Sequence, residues 1–209
     1  MSAPPIAVDP LTASTIGHYE THAERYWQGT REHDVGQNVA ALLAALDGPG
    51  PWTILDFGCG PGRDLKTFRD LGHRAIGLDG SAAFCAMARA HGGCEVWRQD
   101  FLALALPPAH FDGVFANATL FHVPGAHLPR VLAELRATLK PGGALFCSNP
   151  HGSNQEGFHG ERYVAYFEPA RWQALLDSAG FTEVTHYFRP PGLTRAQQPW
   201  FAGVWRRTA

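Results

Sequence analysis

The sequence predicts an α/β domain in which a mostly parallel sheet carries helices on both faces. Three observations predict it. From residue 53 onward, short apolar runs alternate with helical periodicity, the order that parallel strands joined by crossover helices produce. A glycine-rich turn, Gly58-Cys-Gly60-Pro-Gly62, follows the first of these runs directly and opens a helical segment. Glycine at such a junction lets the backbone turn sharply and approach a ligand at a helix N-terminus. Finally, 209 residues, 45% of them hydrophobic, suffice for one substantial core without covalent staples.

Taken in order, residues 1–14 read as a loose arm, Pro-rich and without a cap signal in the first ten positions. Residues 15–28 and 36–47 read as helices, the second with Val39, Leu42, Leu43 and Leu46 on one face. Asp47-Gly-Pro-Gly-Pro stops it. Strands follow at 53–57, 74–78, 95–98, 111–116 and 144–148, separated by helices at 62–71 and 81–91 and, after the fourth strand, at 127–139. Lys140-Pro-Gly-Gly ends the last of these helices. An irregular stretch, 149–168, precedes a helix at 169–179. The closing strands, 182–189 and 200–206, have only a loop between them, so one of the two is antiparallel. Residues 15–47 have no part in the nucleotide-type half and are expected to form a helical lid, with 149–168 as a substrate-side insertion of the same single domain.

Charge and composition exclude several function classes. Basic and acidic residues nearly balance, 17 against 19, so no overall field attracts nucleic acid or an anionic membrane. The longest apolar run, 39–46, falls far short of a membrane span. The start, Met1-Ser-Ala-Pro-Pro-Ile, has neither a basic n-region nor a long apolar h-region. The expectation is a soluble, cytoplasmic protein. Cys59, Cys85, Cys94 and Cys147 form no C-x-x-C pair and read as small buried hydrophobes. His18 and His22 share a helix face, but His-Tyr-Glu-Thr-His is not a zinc-protease motif. Two solvated helix residues are expected there, and no metal.

The glycine turn carries the chemistry. A dinucleotide fingerprint would need Gly or Ala where Arg63 stands, and no G-K-[ST] follows for a nucleoside triphosphate. What remains, Asp56-Phe-Gly58-Cys-Gly60-Pro-Gly62, resembles motif I of the class I S-adenosylmethionine-dependent methyltransferases. Three further features fall where that family has them. Asp79 ends the second strand, where a carboxylate takes both ribose hydroxyls. Asp100-Phe101, past the third strand, resembles the acidic-plus-apolar pair that holds adenine. The run from Phe111 to Asn117 resembles the strand that ends beside the reactive methyl group. The resemblance implies a Rossmann-like class I methyltransferase with a seven-stranded sheet. It also implies S-adenosyl-L-methionine as cofactor and S-adenosyl-L-homocysteine as product. Asp56, Gly58, Gly60, Gly62, Asp79, Gly80, Ser81, Asp100, Phe101 and Asn117 would hold the cofactor. The sulfonium already activates the methyl, so transfer needs alignment and desolvation more than an elaborate catalytic group. No Ser-His-Asp or paired-carboxylate constellation stands out, in keeping with this.

Enzymes that methylate nucleic-acid bases carry a D/N-P-P-Y-like segment after the fourth strand; here it is Asn117-Ala-Thr-Leu, which favours a small molecule. A narrower resemblance rests on Gly29-Thr-Arg-Glu-His-Asp34-Val-Gly-Gln-Asn38, Ala116-Asn-Ala-Thr-Leu-Phe-His-Val-Pro124, Ser148-Asn-Pro150, Gly160-Glu-Arg-Tyr163 and the segment from His186 to Trp200. Together with the glycine motif, and over nearly all of residues 15–206, the chain resembles the methyltransferase module of ovothiol biosynthesis. That family methylates an imidazole nitrogen of 5-thiohistidine and acts beside a sulfoxide synthase and a lyase; the synthase portion is not in this sequence. The resemblance implies that Asn117 and His122 lie near the reacting ring and orient it. Arg162 would pair with the substrate carboxylate and Asp34 with its ammonium. Asn38, Asn149 and Tyr163 would add hydrogen bonds, with Tyr19 and Arg31 lining the same polar cleft. Three alternatives stand beside this: a methyltransferase of another small thiol or detoxification substrate, which needs an apolar cleft; a cofactor-binding partner protein without catalysis; and a dehydrogenase, disfavoured by Arg63.

Overall fold

A computed structural model describes residues 8–208. The strands are β1 (Thr53–Phe57), β2 (Arg74–Asp79), β3 (Glu95–Arg98), β4 (Phe111–Asn117) and β5 (Leu139–Pro150), then β6 (Gln155–His159), β7 (Arg162–Tyr166), β8 (Phe181–Arg189) and β9 (Trp200–Arg207). Seven of them form one sheet in the order β3-β2-β1-β4-β5-β9-β8. β1 to β5 pair in parallel, and β9 runs antiparallel between β5 and β8. The expected Rossmann-like, seven-stranded, mostly parallel sheet is therefore present.

The period-2 alternation along the central strands divides the core into two layers. Leu55, Phe57, Val114, Ala116, Leu145 and Cys147 face one side, while Ile54, Phe115, Ala144 and Phe146 face the other. The helices that cover them are α1 (Pro10–Thr21), α2 (Ala23–Thr30), α3 (Gly36–Ala44), α4 (Arg63–Asp70), α5 (Ala82–Gly92), α6 (Leu128–Thr138) and α7 (Pro169–Ser178). The chain leaves β1 toward β2 and β3, then crosses back to β4, so the strand order reverses between β1 and β4. In open α/β sheets, ligands bind beyond the carboxyl ends of the strands at such a reversal.

Four sequence expectations are corrected. The arm reading of residues 8–14 fails, because α1 begins at Pro10; the first seven residues lie outside the described part. Asp9 caps the helix by accepting the Leu11 N–H at 2.9 Å, and Pro10 sits at the first helical position, which tolerates a missing N–H. The packed face of α1 bears Thr12, Thr15, Ile16 and Tyr19, so no apolar stripe announces it. Second, the helix read at 15–28 is broken at His22 into α1 and α2. Third, residues 149–168 are not irregular throughout: β6 and β7 form a two-stranded ribbon, with His159 paired to Arg162 across a two-residue turn. Gly160 takes φ +61° in that turn, a value open to glycine. Lys140-Pro-Gly-Gly, read as a helix stop, lies inside β5 beside a register shift against β4.

Candidate active site at the carboxyl ends of β1 and β4

The glycine loop leaves β1 and caps α4, and two of its glycines are compelled by close approach. A Cβ on Gly58 would stand 2.4 Å from Thr119 Cγ2, and one on Gly62 would stand 2.7 Å from Ala88 Cα, with φ values of +76° and +93°. Asp79, at the end of β2, fastens the loop. Its Oδ2 accepts the Gly60 N–H at 3.0 Å, and its Oδ1 accepts the Ser81 N–H at 2.9 Å. Asp56 lies beneath the loop, 2% exposed, with Oδ2 lacking a hydrogen-bond partner among the described residues. Burial, then the nearby Asp64 carboxylate, holds Asp56 well above the usual carboxylate range. A cleft opens over these groups, lined by Gly58, Gly60, Asp79, Gly80, Asp100 and Phe101. An unpartnered buried carboxyl oxygen, a cradle with no room for side chains and a carboxylate at a strand end fit an adenosyl cofactor bearing ribose hydroxyls.

α1 forms the roof of this cleft through Thr12, Thr15, Ile16 and Tyr19, the i, i+3, i+4, i+7 face of one helix. Its contacts explain where two expected cofactor residues stand. Asp100 is buried; its Oδ2 accepts the Asp9 N–H at 2.8 Å and the Thr12 hydroxyl, and its Oδ1 accepts the Leu102 N–H. Ser81 caps α5 by accepting the Phe84 N–H, and its own hydroxyl donates to Glu20 of α1 at 2.7 Å. Both residues thus hold the roof down as well as bordering the cleft. Phe101 packs against Phe57 with ring centroids 4.5 Å apart and planes tilted by 30°.

A second, wider cleft adjoins the first and shares Tyr19, Tyr26 and Ala118 with it. The structure brings Asp34, Asn38, Asn117 and Arg162 to this second cleft, as the sequence reading expects. Three expected residues are not brought there. Arg31 pairs with the exposed Glu32 at 3.3 Å. Asn149 is fully buried, and its side-chain oxygen accepts the Phe121 N–H. The Tyr163 hydroxyl donates to Glu156 at 3.0 Å in an exposed bond across the ribbon. Sequence reasoning missed Arg63, Arg189 and Trp200 on the cleft wall; each arrives from a different element, and no local pattern joins them.

A half-buried polar chain ties the lid to the sheet. Tyr187 Oη donates to Asn38 Oδ1 at 3.0 Å, Asn38 Nδ2 to Asn117 Oδ1 at 3.0 Å, and Asn117 Nδ2 to Asp64 Oδ2 at 3.2 Å. Arg63 grips Asp64 with both arms, at 2.7 and 2.9 Å, and reaches the Thr30 carbonyl at the end of α2. Both ends of the Asn117 amide are therefore engaged with protein.

Where the two clefts meet, hydrogen-bond roles are determined by elimination. His122 Nδ1 lies 2.7 Å from the Tyr163 carbonyl oxygen, which only accepts, so Nδ1 carries the proton. Burial pushes the His122 imidazole down to about 4, so the ring is neutral at pH 7 and Nε2 is a bare acceptor. The Tyr19 hydroxyl, 2.9 Å away, therefore donates to Nε2. Burial raises the Tyr19 phenol above its ordinary value, although Arg162 Nη1, donating to its oxygen at 3.4 Å, opposes the rise. The Tyr19 oxygen is left able only to accept from a bound molecule.

Burial also raises Asp79, to about 6, against the backbone N–H groups that it accepts. In the carboxylate form Asp79 can accept ribose hydroxyls through both oxygens, and the protonated form would give up one of those roles. Donor affinity is thus expected to fall as pH drops through about 6. Calorimetry between pH 5 and 8 checks this, and an Asp79→Asn variant should show a weaker affinity without that dependence. An equal pH slope in the variant would remove Asp79 as its source.

Residues 54–143 match the family model described as "Methyltransferase domain". The chain is similar to the trans-aconitate 2-methyltransferase of Azoarcus sp. (strain BH72), 32% identical over 140 residues that make up 66% of this chain and 53% of that protein. It is also similar to the trans-aconitate 2-methyltransferase of Methylobacterium nodulans, 31% identical over 178 residues, 81% of this chain and 66% of that protein. The chain spans about half to two thirds of the length of these curated relatives. In fold it resembles the Burkholderia thailandensis 1,6-didemethyltoxoflavin-N1-methyltransferase, solved with bound 1,6-didemethyltoxoflavin and S-adenosylhomocysteine. That likeness has a TM-score of 0.78 at 22% identity and covers 100% of this chain and 94% of that one. With the motif I cradle, the carboxylate closing β2 and the matched domain on one sheet, the chain belongs to the class I S-adenosylmethionine-dependent methyltransferases.

Proposed function

We propose that this chain transfers the methyl group of S-adenosylmethionine to a small, carboxylate-bearing acceptor, namely 5-thiohistidine, on an imidazole nitrogen. The observation that carries this reading is Arg162. It faces the second cleft beside Tyr19, with no carboxylate within ion-pair distance among the described residues. A guanidinium so placed suits a substrate carboxylate.

The bound cofactor supplies a methyl group already activated by its sulfonium. The protein aligns the acceptor. Since the Tyr19 proton is committed to His122, the Tyr19 oxygen takes an N–H from the acceptor ring. That choice settles the tautomer: one ring nitrogen keeps its hydrogen on Tyr19, and the other presents its lone pair. Thiolate is the stronger intrinsic nucleophile, so alignment must turn sulfur away from the methyl. Arg162 anchors the carboxylate end and Asp34, which lines the cleft and accepts the Gly36 N–H through Oδ1, takes the ammonium. Asn38 and Asn117 stiffen the wall through their mutual bond. The lid formed by α1 and α2 excludes water from the reacting atoms.

The relatives named for trans-aconitate favour a second reading, methylation of a small polycarboxylic acid on the same Arg162 anchor. Mass and NMR analysis of products from 5-thiohistidine, histidine and trans-aconitate separates the two readings. The expected result is an N-methyl product from 5-thiohistidine. An S-methyl product, or turnover of trans-aconitate alone, overturns the reading. Arg162→Ala is expected to cost about 2 kcal/mol, roughly 30-fold in kcat/KM, with donor affinity unchanged.

A further inference from the structure

We infer that His18, His22 and Glu161 form a site for a divalent transition metal that fastens the lid helix to the β6–β7 ribbon. Each residue offers a ligand atom, and these atoms all lie within 4.8 Å of one another. His18 and His22 stand one turn apart at the end of α1, with ring centroids 4.5 Å apart and planes tilted by 31°. Glu161 comes from the tip of the ribbon, 143 positions away in sequence, and its Oε2 lies 2.9 Å from His18 Nδ1.

Details of the cluster suit a metal. The His22 Nδ1 lies 2.8 Å from the His18 carbonyl oxygen, so Nδ1 donates and the Nε2 lone pair is free. A ligating histidine typically donates its other ring nitrogen to a carbonyl or carboxylate in this way. Two ligands at about 2.0–2.1 Å on a tetrahedral ion are about 3.3 Å apart. The His18–Glu161 pair therefore needs to open by only a few tenths of an ångström, the metal taking the place of the shared proton. The carbonyl end of α1 favours a cation nearby. The side chains of His18 and Glu161 keep 27% and 66% of their surface, which leaves an entry path and a position for water. Two imidazoles and one carboxylate with an open fourth position suit zinc and its neighbours rather than magnesium or calcium.

The placement gives the site a consequence. The same helix roofs the donor cleft through Thr12, Thr15, Ile16 and Tyr19, and Glu161 adjoins Arg162 of the acceptor cleft. Ribbon and helix already share the bonds Ser14 Oγ to the Glu161 carbonyl at 2.7 Å and Tyr163 N–H to Thr15 Oγ1 at 2.8 Å. A metal bridging them clamps the roof over both ligands.

Untagged protein titrated with Zn²⁺ by calorimetry, and with Co²⁺ while its visible absorption is followed, tests the site without reference to methyl transfer. The expected result is one saturable equivalent, with a tetrahedral Co²⁺ spectrum. Unfolding temperature should rise by about 5–10 °C at a hundredfold excess over Kd. Hydrogen exchange along residues 10–21 should slow. His22→Gln and Glu161→Gln, both at exposed or half-exposed positions, should each weaken binding at least about tenfold and remove these effects while leaving the circular dichroism unchanged. Equal affinity in wild type and both variants would place the metal elsewhere and overturn the inference, as would the absence of saturable binding in all three.

Discussion

Replacing Tyr19 with phenylalanine is expected to lower kcat/KM for methyl transfer by about 100-fold while leaving donor affinity nearly unchanged. The ring itself is retained, and with it the packing against Tyr26, Phe84 and His122 at centroid separations of 5.5, 5.5 and 5.5 Å. Only the oxygen is lost. In the proposed reaction that oxygen accepts the substrate N–H, and among the described residues it is the donor to His122 Nε2, which the substitution leaves bare and buried. An unsatisfied buried acceptor costs about 1–3 kcal/mol, and a freely turning acceptor ring loses the alignment that an in-line displacement needs. His122→Asn gives a finer readout, because His122 acts through Tyr19. With its partner gone, the Tyr19 proton is free to point at the substrate, and the share of S-methyl product should rise. A Tyr19→Phe enzyme with wild-type kcat/KM, and an unchanged product ratio in His122→Asn, would remove the pair from the mechanism.

Asp64→Ala is expected to destabilise the fold by about 3 kcal/mol, the lower end for breaking a buried ion pair by removing one partner. Asp64 is 7% exposed and receives two arms of Arg63 and one from Asn117. Removing it leaves the Arg63 guanidinium without its counter-charge and the Asn117 amide without an acceptor. The Arg63 side chain keeps 24% of its surface in water, which softens the loss. The same chain of bonds runs to Asn38 of α3 and the Thr30 carbonyl of α2, so the lid should loosen with it. Urea unfolding at constant m measures the stability, and hydrogen exchange over residues 23–44 measures the lid. Asp64→Asn keeps an acceptor and should lose clearly less. An unchanged midpoint in Asp64→Ala, with unchanged exchange, would contradict this account.

The lid shows why part of the architecture was illegible in sequence. A helix is read from an apolar stripe, and α3 displays one in Val39 and Leu42. The packed face of α1 is instead Thr12, Thr15, Ile16 and Tyr19, because it covers the cleft over the glycine loop rather than a closed core. The ribbon was hidden for a similar reason. β6 is exposed along most of its length and has no alternation of buried and exposed positions. Its existence depends on pairing with β7 and on the glycine in its turn.

The sequence by itself determined the parallel sheet, the glycine cradle and the carboxylate of Asp79, since each rests on local rules. Strand alternation, helix periodicity and the backbone freedom of glycine act over a few residues and leave their mark there. Tertiary structure alone decided which polar groups meet. Tyr19 reaches His122 across 103 positions, Asn38 reaches Asn117 across 79, and Glu161 reaches His18 across 143. It also kept Arg31, Asn149 and Tyr163 out of the second cleft by giving each a partner elsewhere. The physical reason is the directionality of hydrogen bonds. Burying a hydrophobic side chain asks only for an apolar neighbour, whereas a donor must find its acceptor within about 3 Å and in line, a condition that only the folded chain can specify.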